Sequence, residues 1–215
     1  MTTPKPLKDF SLWSLVFSNL ITIVIALVEQ WSFLTLMWVY WFQSVIIGVF
    51  NIVRMLQLKK FSTEGFTSNG QPVPPTRKSQ IETAVFFFFH YGFFHAGYLL
   101  FIWGGGFGGA DPGFPVADAQ FIAVSTAVFL GNHLLSYVQH RHETEDRVLN
   151  LGALMFYPYL RIIPMHLTII FGGILGTALP VFLILKALAD TGMHYVEHAV
   201  LMGKAPTTKK TNVQI

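Results

Sequence analysis

Cysteine is absent, which removes disulfides, thiolate metal sites and cysteine nucleophiles together. Charge is scarce: 12% of the 215 residues are Asp, Glu, Lys or Arg, against 53% hydrophobic residues and a mean hydropathy of +0.52. A typical soluble domain carries about a quarter charged residues. An ordinary soluble fold is therefore excluded, and an all-α, polytopic transmembrane helical bundle of about six spans is expected. Convincing internal repeats are lacking too. The glycine-rich stretch GGGFGGADPG at 104–113 has no Lys or Arg and follows an apolar run instead of a strand, which rules out a phosphate-cradling loop. A net charge of +3 invites a nucleic-acid partner, but the basic residues sit at loop edges, where membrane topology accounts for them. The expected partner is the lipid bilayer, with other membrane subunits or a homo-oligomer left open.

Residues 1–10 carry Lys5 and Lys8 and lead into an apolar run at 11–28. That run exceeds a signal-peptide core and no small-residue cleavage site follows it, so it reads as a mature first span. A second span at 32–55 places Tyr40, Gln43, Ile47, Asn51 and Arg54 on one helical face, a pattern that interhelical hydrogen bonding alone can explain. Residues 56–79, rich in Lys, Arg and Pro, read as a surface loop. The third span, 82–103, contains HYGFFH. His90 and His95 stand about 140° apart around a helix, so one of them at most faces any single site. A fourth span at 119–139 carries Asn132, His133 and Tyr137 and ends in His140, Arg141 and His142, a solvated interfacial end. Residues 143–157 suggest an amphipathic helix lying on the surface. The fifth span opens near Pro158, where Pro158 and Pro164 bracket Arg161 and Pro164 breaks the helix before His166. In the last span, 179–201, Lys186, Asp190, His194, Glu197 and His198 line one face. The membrane domain thus covers 11–201, and a flexible cytoplasmic tail covers 202–215.

The turns near Glu29, Asp111 and Thr177 hold no Lys or Arg, and the basic residues gather at both termini and in the remaining connections. Both termini are therefore expected in the cytoplasm, and the protein in a bacterial inner (plasma) membrane. Counting about 1.5 Å of rise per residue puts His90, His166 and Asp190 roughly 15 Å deep and His133 and His194 roughly 9 Å deep. Ionisable groups at such depth cost roughly 2.5 to 3.5 kcal/mol each, so they face the bundle interior and mark function. Imidazole suits zinc and iron, and a carboxylate beside it sets its tautomer. The candidate metal ligands are His90, His133, His166 and His194, with Asp190 as orienter or base and Arg161 near the mouth. A metal there could drive intramembrane hydrolysis of a lipid-like substrate. Haem held between two helices is the alternative cofactor. The alternative functions are a transporter or an accessory subunit of a membrane complex, using Lys186, Asp190 and Arg161 as proton or anion sites. The bland reading is that each histidine only bonds to a neighbouring helix.

The segments WVYWFQSVIIGVFNIVRM, HYGFFHAGY, YPYLRIIPMHLTIIFGGILG and LKALADTGMHYVEH together resemble a family of bacterial integral membrane proteins known only as a domain of unknown function. The resemblance covers about residues 38–198. It implies that Asn51, Arg54, His90, Tyr91, His95, His133, Pro158, Tyr159, Arg161, His166, Lys186, Asp190 and His194 are characteristic positions of the family, and it carries no activity. The HxxxH of His194 and His198, with Ser125 and His133 upstream, is similar to the membrane zinc amidohydrolases of the alkaline ceramidase and adiponectin-receptor group. Those have seven spans and a Ser-xxx-His element, whereas Ser125 and His133 are eight apart. Rhomboid proteases share a core of six spans, but no GxSG nucleophile segment is present.

Overall fold

The computed structural model describes residues 32–105, 113–145, 148–160, 162–163, 166–167, 184–185 and 187–188. The described chain is mostly helical: α1 (Phe33–Gln57), α2 (Arg77–Trp103), α3 (Ala119–Glu145) and the short α4 (Leu151–Phe156). Two of these, α1 from Leu34 and α2, are long and apolar enough to cross a membrane. At about 1.5 Å per residue each runs close to 40 Å, beyond the roughly 30 Å of a bilayer core. The expected span at 11–28, and most of the fifth and of the last at 179–201, lie outside the described residues.

Local chemistry sets the helix ends. Ser32 caps α1, its hydroxyl accepting from Thr35 N at 3.0 Å, and so satisfies one of the free amides of the first turn. At the other end α2 supplies the cap: Gln80 Nε2 donates to Met55 O at 2.6 Å and Leu58 O at 3.0 Å, and Arg77 Nη1 donates to Leu56 O at 2.6 Å. The last carbonyls of one helix are thus satisfied by the first turn of the next. α2 begins at Arg77, ahead of the apolar run at Glu82, because Pro75 keeps Pro74 out of the helical conformation, a tight turn bonds Thr76 N to Pro74 O at 2.8 Å, and Thr76 then caps, accepting from Ser79 N at 3.2 Å. Hydropathy locates the apolar part of this helix; the cap locates its start.

The connection between α1 and α2 is more ordered than a plain surface loop. Strands β2 (Thr67–Ser68) and β3 (Gln71–Pro72) pair antiparallel around Asn69 and Gly70, which both have positive φ. Asn-Gly is the pair that a primed two-residue turn favours. Strand β1 (Phe61–Ser62) pairs in parallel with β4 (Leu149–Asn150), with Phe61 opposite Leu149. This pairing corrects the expectation of an amphipathic surface helix at 143–157. α3 continues to Glu145, and α4 is buried, with Leu151, Gly152, Leu154 and Met155 packed inside. The stretch LGALM is apolar all round, and Asn150 caps it by accepting from Ala153 N at 2.9 Å, so it folds inward. Gly152 admits the Phe66 ring, which would stand 2.8 Å from an added Cβ.

The core lies between α1 and α2 and closes over α4. α2 buries Phe87, Tyr91, His95, Tyr98 and Ile102 on one face, recurring at three or four residues as a helix stripe requires. Its opposite face presents Phe86, Phe89, Phe93 and Leu100, all exposed. Near the α1 N-terminus Trp38 packs against Trp41, Phe42, Trp103 and Phe114.

Candidate functional site

The polar groups of α2 divide between two of its faces. His95, 5% exposed, turns towards α1. Its Nδ1 lies 2.9 Å from the carbonyl of Tyr91, one turn back, and its Nε2 lies 2.9 Å from Ser44 Oγ on α1. A carbonyl only accepts, so Nδ1 carries the proton and Nε2 presents a lone pair, to which the Ser44 hydroxyl donates. The Tyr91 hydroxyl completes the network, 2.9 Å from Ser44 Oγ and 3.0 Å from Ser44 O, and the Trp41 indole donates to His95 O at 2.9 Å. Tyr91 stacks on His95 with ring centroids 4.2 Å apart. The close approach depends on Gly48, where an added Cβ would sit 2.6 Å from Tyr91 Cε1.

His90 is exposed and points towards the segment after α4. Its Nδ1 lies 2.7 Å from the Tyr159 hydroxyl. His166 is held in the same manner, its Nδ1 3.1 Å from the Tyr98 hydroxyl. Phe94 lies between the two imidazoles, its ring 5.3 Å from that of His90 and 6.1 Å from that of His166. Tyr159 also packs edge-on against Tyr91 at 5.6 Å and Phe87 at 5.7 Å. The result is a cluster of aromatic rings on α2 and at Tyr159, with two exposed imidazoles, His90 and His166, beside Phe94.

Of the sequence-expected ligands, the structure sets His90 and His166 beside the Phe94 ring. His133 sits elsewhere: its ring stacks on Phe129 at 4.3 Å and lies 5.9 Å from Phe50 of α1. Phe50 follows Gly48 by two residues, about 200° around the helix, so His133 meets a side of α1 turned away from Tyr91. His194, Asp190, Arg161 and Lys186 lie outside the described residues. Among the described residues no three His, Asp or Glu converge closely enough to hold a metal.

Sequence reasoning passed over Ser44, Tyr98 and the role of His95. On α1 it favoured Gln43 and Asn51; Asn51 is buried and donates to Leu154 O at 2.9 Å, while Ser44, one residue from Gln43, makes the contact with α2. A usable signal was present in the run Phe87, Tyr91, His95, Tyr98, which puts two phenols and an imidazole on a single helical stripe.

A family model described as a family of unknown function, DUF6498, matches residues 1–206. The chain belongs to that family. The DUF6498 match takes in α1 to α4 and both polar networks of α2. No curated protein and no solved structure matches the chain.

Proposed function

We propose that this DUF6498 chain is an integral membrane protein of about six spans, with both termini cytoplasmic. In this reading it binds a transition metal such as zinc or iron at His90 and His166 and acts as a metal-dependent intramembrane hydrolase on a lipid-like substrate. The observation that carries the reading is the way the two imidazoles are held. Each is engaged at Nδ1 by a tyrosine hydroxyl, and neither Nε2 has a hydrogen-bond partner among the described residues. A hydroxyl can accept from Nδ1–H, which leaves the Nε2 lone pair for a metal, and ligating histidines usually carry an outer partner of this kind. His95 differs: both of its nitrogens are in use. His194 and Asp190 would complete the donor set, with Arg161 set to hold an anionic group, and His133 is the least supported ligand. A metal there would polarise a carbonyl and activate water, while the exposed Phe86, stacked on His90 at 5.0 Å, and Phe94 would meet an apolar chain.

Metal analysis of detergent-purified protein tests this. We expect close to one equivalent in the wild type, a loss of at least fivefold in His90→Ala and His166→Ala, and retention in His95→Gln. Less than a tenth of an equivalent in the wild type would sink the proposal, and a Soret band in the visible spectrum would select haem instead. Reporter fusions after Gly70 and after Gly113 check the topology, with cytoplasmic signal expected at the first and none at the second.

A further inference from the structure

The Ser44, Tyr91 and His95 network uses neither of the proposed metal ligands, His90 and His166. We infer that it is a proton-relay site, in which His95 Nε2 accepts a proton handed on from Tyr91 through Ser44. Donor and acceptor directions around the ring carry the inference. In the neutral state Nδ1–H donates to Tyr91 O, Ser44 Oγ–H donates to Nε2, and the Tyr91 hydroxyl donates to Ser44 Oγ or Ser44 O. Every group is satisfied.

The same atoms support a second satisfied state. A proton delivered to Tyr91 Oη by hydronium lets the phenolic proton pass to Ser44 Oγ and the serine proton pass to Nε2. Nε2–H then donates to Ser44 Oγ, Ser44 Oγ–H donates to Tyr91 Oη, and the new Tyr91 O–H donates to Ser44 O, 3.0 Å away. One proton enters, one arrives, and the imidazolium carries the charge. No heavy atom has to move, because the phenol already touches both oxygens of Ser44. Buried groups in a low dielectric are costly when unpaired, and here either polarity of the chain leaves His95 and Ser44 paired.

The groups facing the imidazole are Ser44 and Trp41 from α1 and Tyr91 and Tyr98 from α2, with His166 beyond Tyr98. Of these Tyr91, Tyr98 and His166 titrate, and among the described residues no carboxylate, ammonium or guanidinium bonds to the ring. The charge of the second state is therefore held by Ser44 Oγ and Tyr91 O alone.

The full-length protein in liposomes tests the relay. Nitrogen-15 spectroscopy of labelled histidine, assigned with His95→Gln, should show the proton on Nδ1 at neutral pH and on both nitrogens after acidification, with the fold intact by tryptophan fluorescence. Infrared difference spectra with labelled tyrosine, assigned with Tyr91→Phe, should show the Tyr91 C–O band shifting as His95 is protonated. That shift should disappear in Ser44→Ala and in His95→Gln. A purely structural network predicts no such coupling. The relay is overturned by a neutral tautomer protonated on Nε2, by an imidazole that never protonates in the folded protein, or by a stationary Tyr91 band. If Ser44→Ala does not fold, His95→Gln decides: a band shift of full size in that variant also overturns it.

Discussion

Gly48→Ala adds one methyl group to a helix, and on propensity alone it should stabilise α1 by about 1 kcal/mol. The structure reverses the sign. The new Cβ would stand 2.6 Å from Tyr91 Cε1 and 3.0 Å from Cδ1, and the ring has no room to retreat. Phe87 stacks on it at 4.7 Å, His95 at 4.2 Å, and Ser44 holds the hydroxyl. Overpacking of this kind costs about 1–3 kcal/mol, and loosening an interhelical hydrogen bond within a membrane adds roughly 0.6 kcal/mol. After the propensity gain is deducted, a net loss of about 1–2 kcal/mol remains, close to a tenfold shift in the folded fraction. Denaturation by SDS in mixed micelles, followed by tryptophan fluorescence, reads this at the affected interface, since Trp41 bonds to His95 O. In a Tyr91→Ala background the obstacle is gone, and Gly48→Ala should then be neutral or stabilising by up to about 1 kcal/mol. If the substitution is neutral in the wild type, or equally harmful in both backgrounds, the packing account of this interface is wrong.

Asn51→Leu should destabilise by about 1–3 kcal/mol, because Asn51 is the donor to Leu154 O and a carbonyl left unpaired in the core bears its full desolvation cost. The residue one turn beyond Leu154 is Pro158, which has no N–H to offer in its place; thermal unfolding measures the loss, and an unchanged midpoint would refute it. Gly152→Ala should release the β1 to β3 connection by displacing Phe66, whose Cγ stands 2.8 Å from the added Cβ. Limited proteolysis between residues 59 and 70 should accelerate severalfold, and cleavage at the wild-type rate would show that Phe66 can repack.

What the chain announces in advance and what it conceals follow from the range of the forces involved. α1 and α2 were legible because continuous apolar runs long enough to span a bilayer need no partner to be recognised, and Ser32 marks its helix start by a contact three residues away. Helix rotation was not legible. Gln43 and Ser44 are adjacent, and only the approach of α2 across Gly48 decides that Ser44 meets His95. The pairing of Phe61 with Leu149 was equally hidden, since strands of two residues have no period to read. The carboxylates and histidine of the last span, Asp190 and His194, fall outside the described residues.

His90 and His95 illustrate how one helix serves two purposes. Five residues turn a helix by about 140°, too far for both rings to share a ligand and far enough to place them at separate interfaces. His95 meets α1, where Ser44 takes Nε2, and the Tyr91 carbonyl of its own helix takes Nδ1. His90 meets Tyr159, whose hydroxyl takes one nitrogen only. Burial and exposure follow the same division: the enclosed imidazole has both nitrogens hydrogen-bonded, and the open one has an Nε2 with no hydrogen-bond partner among the described residues. Tyr91 and Tyr159 touch edge-on at 5.6 Å, so the two interfaces are in contact through aromatic rings without sharing a hydrogen bond. Substitution at His95 should therefore disturb the α1–α2 interface without changing the metal content proposed for His90 and His166, and this asymmetry separates the two roles experimentally.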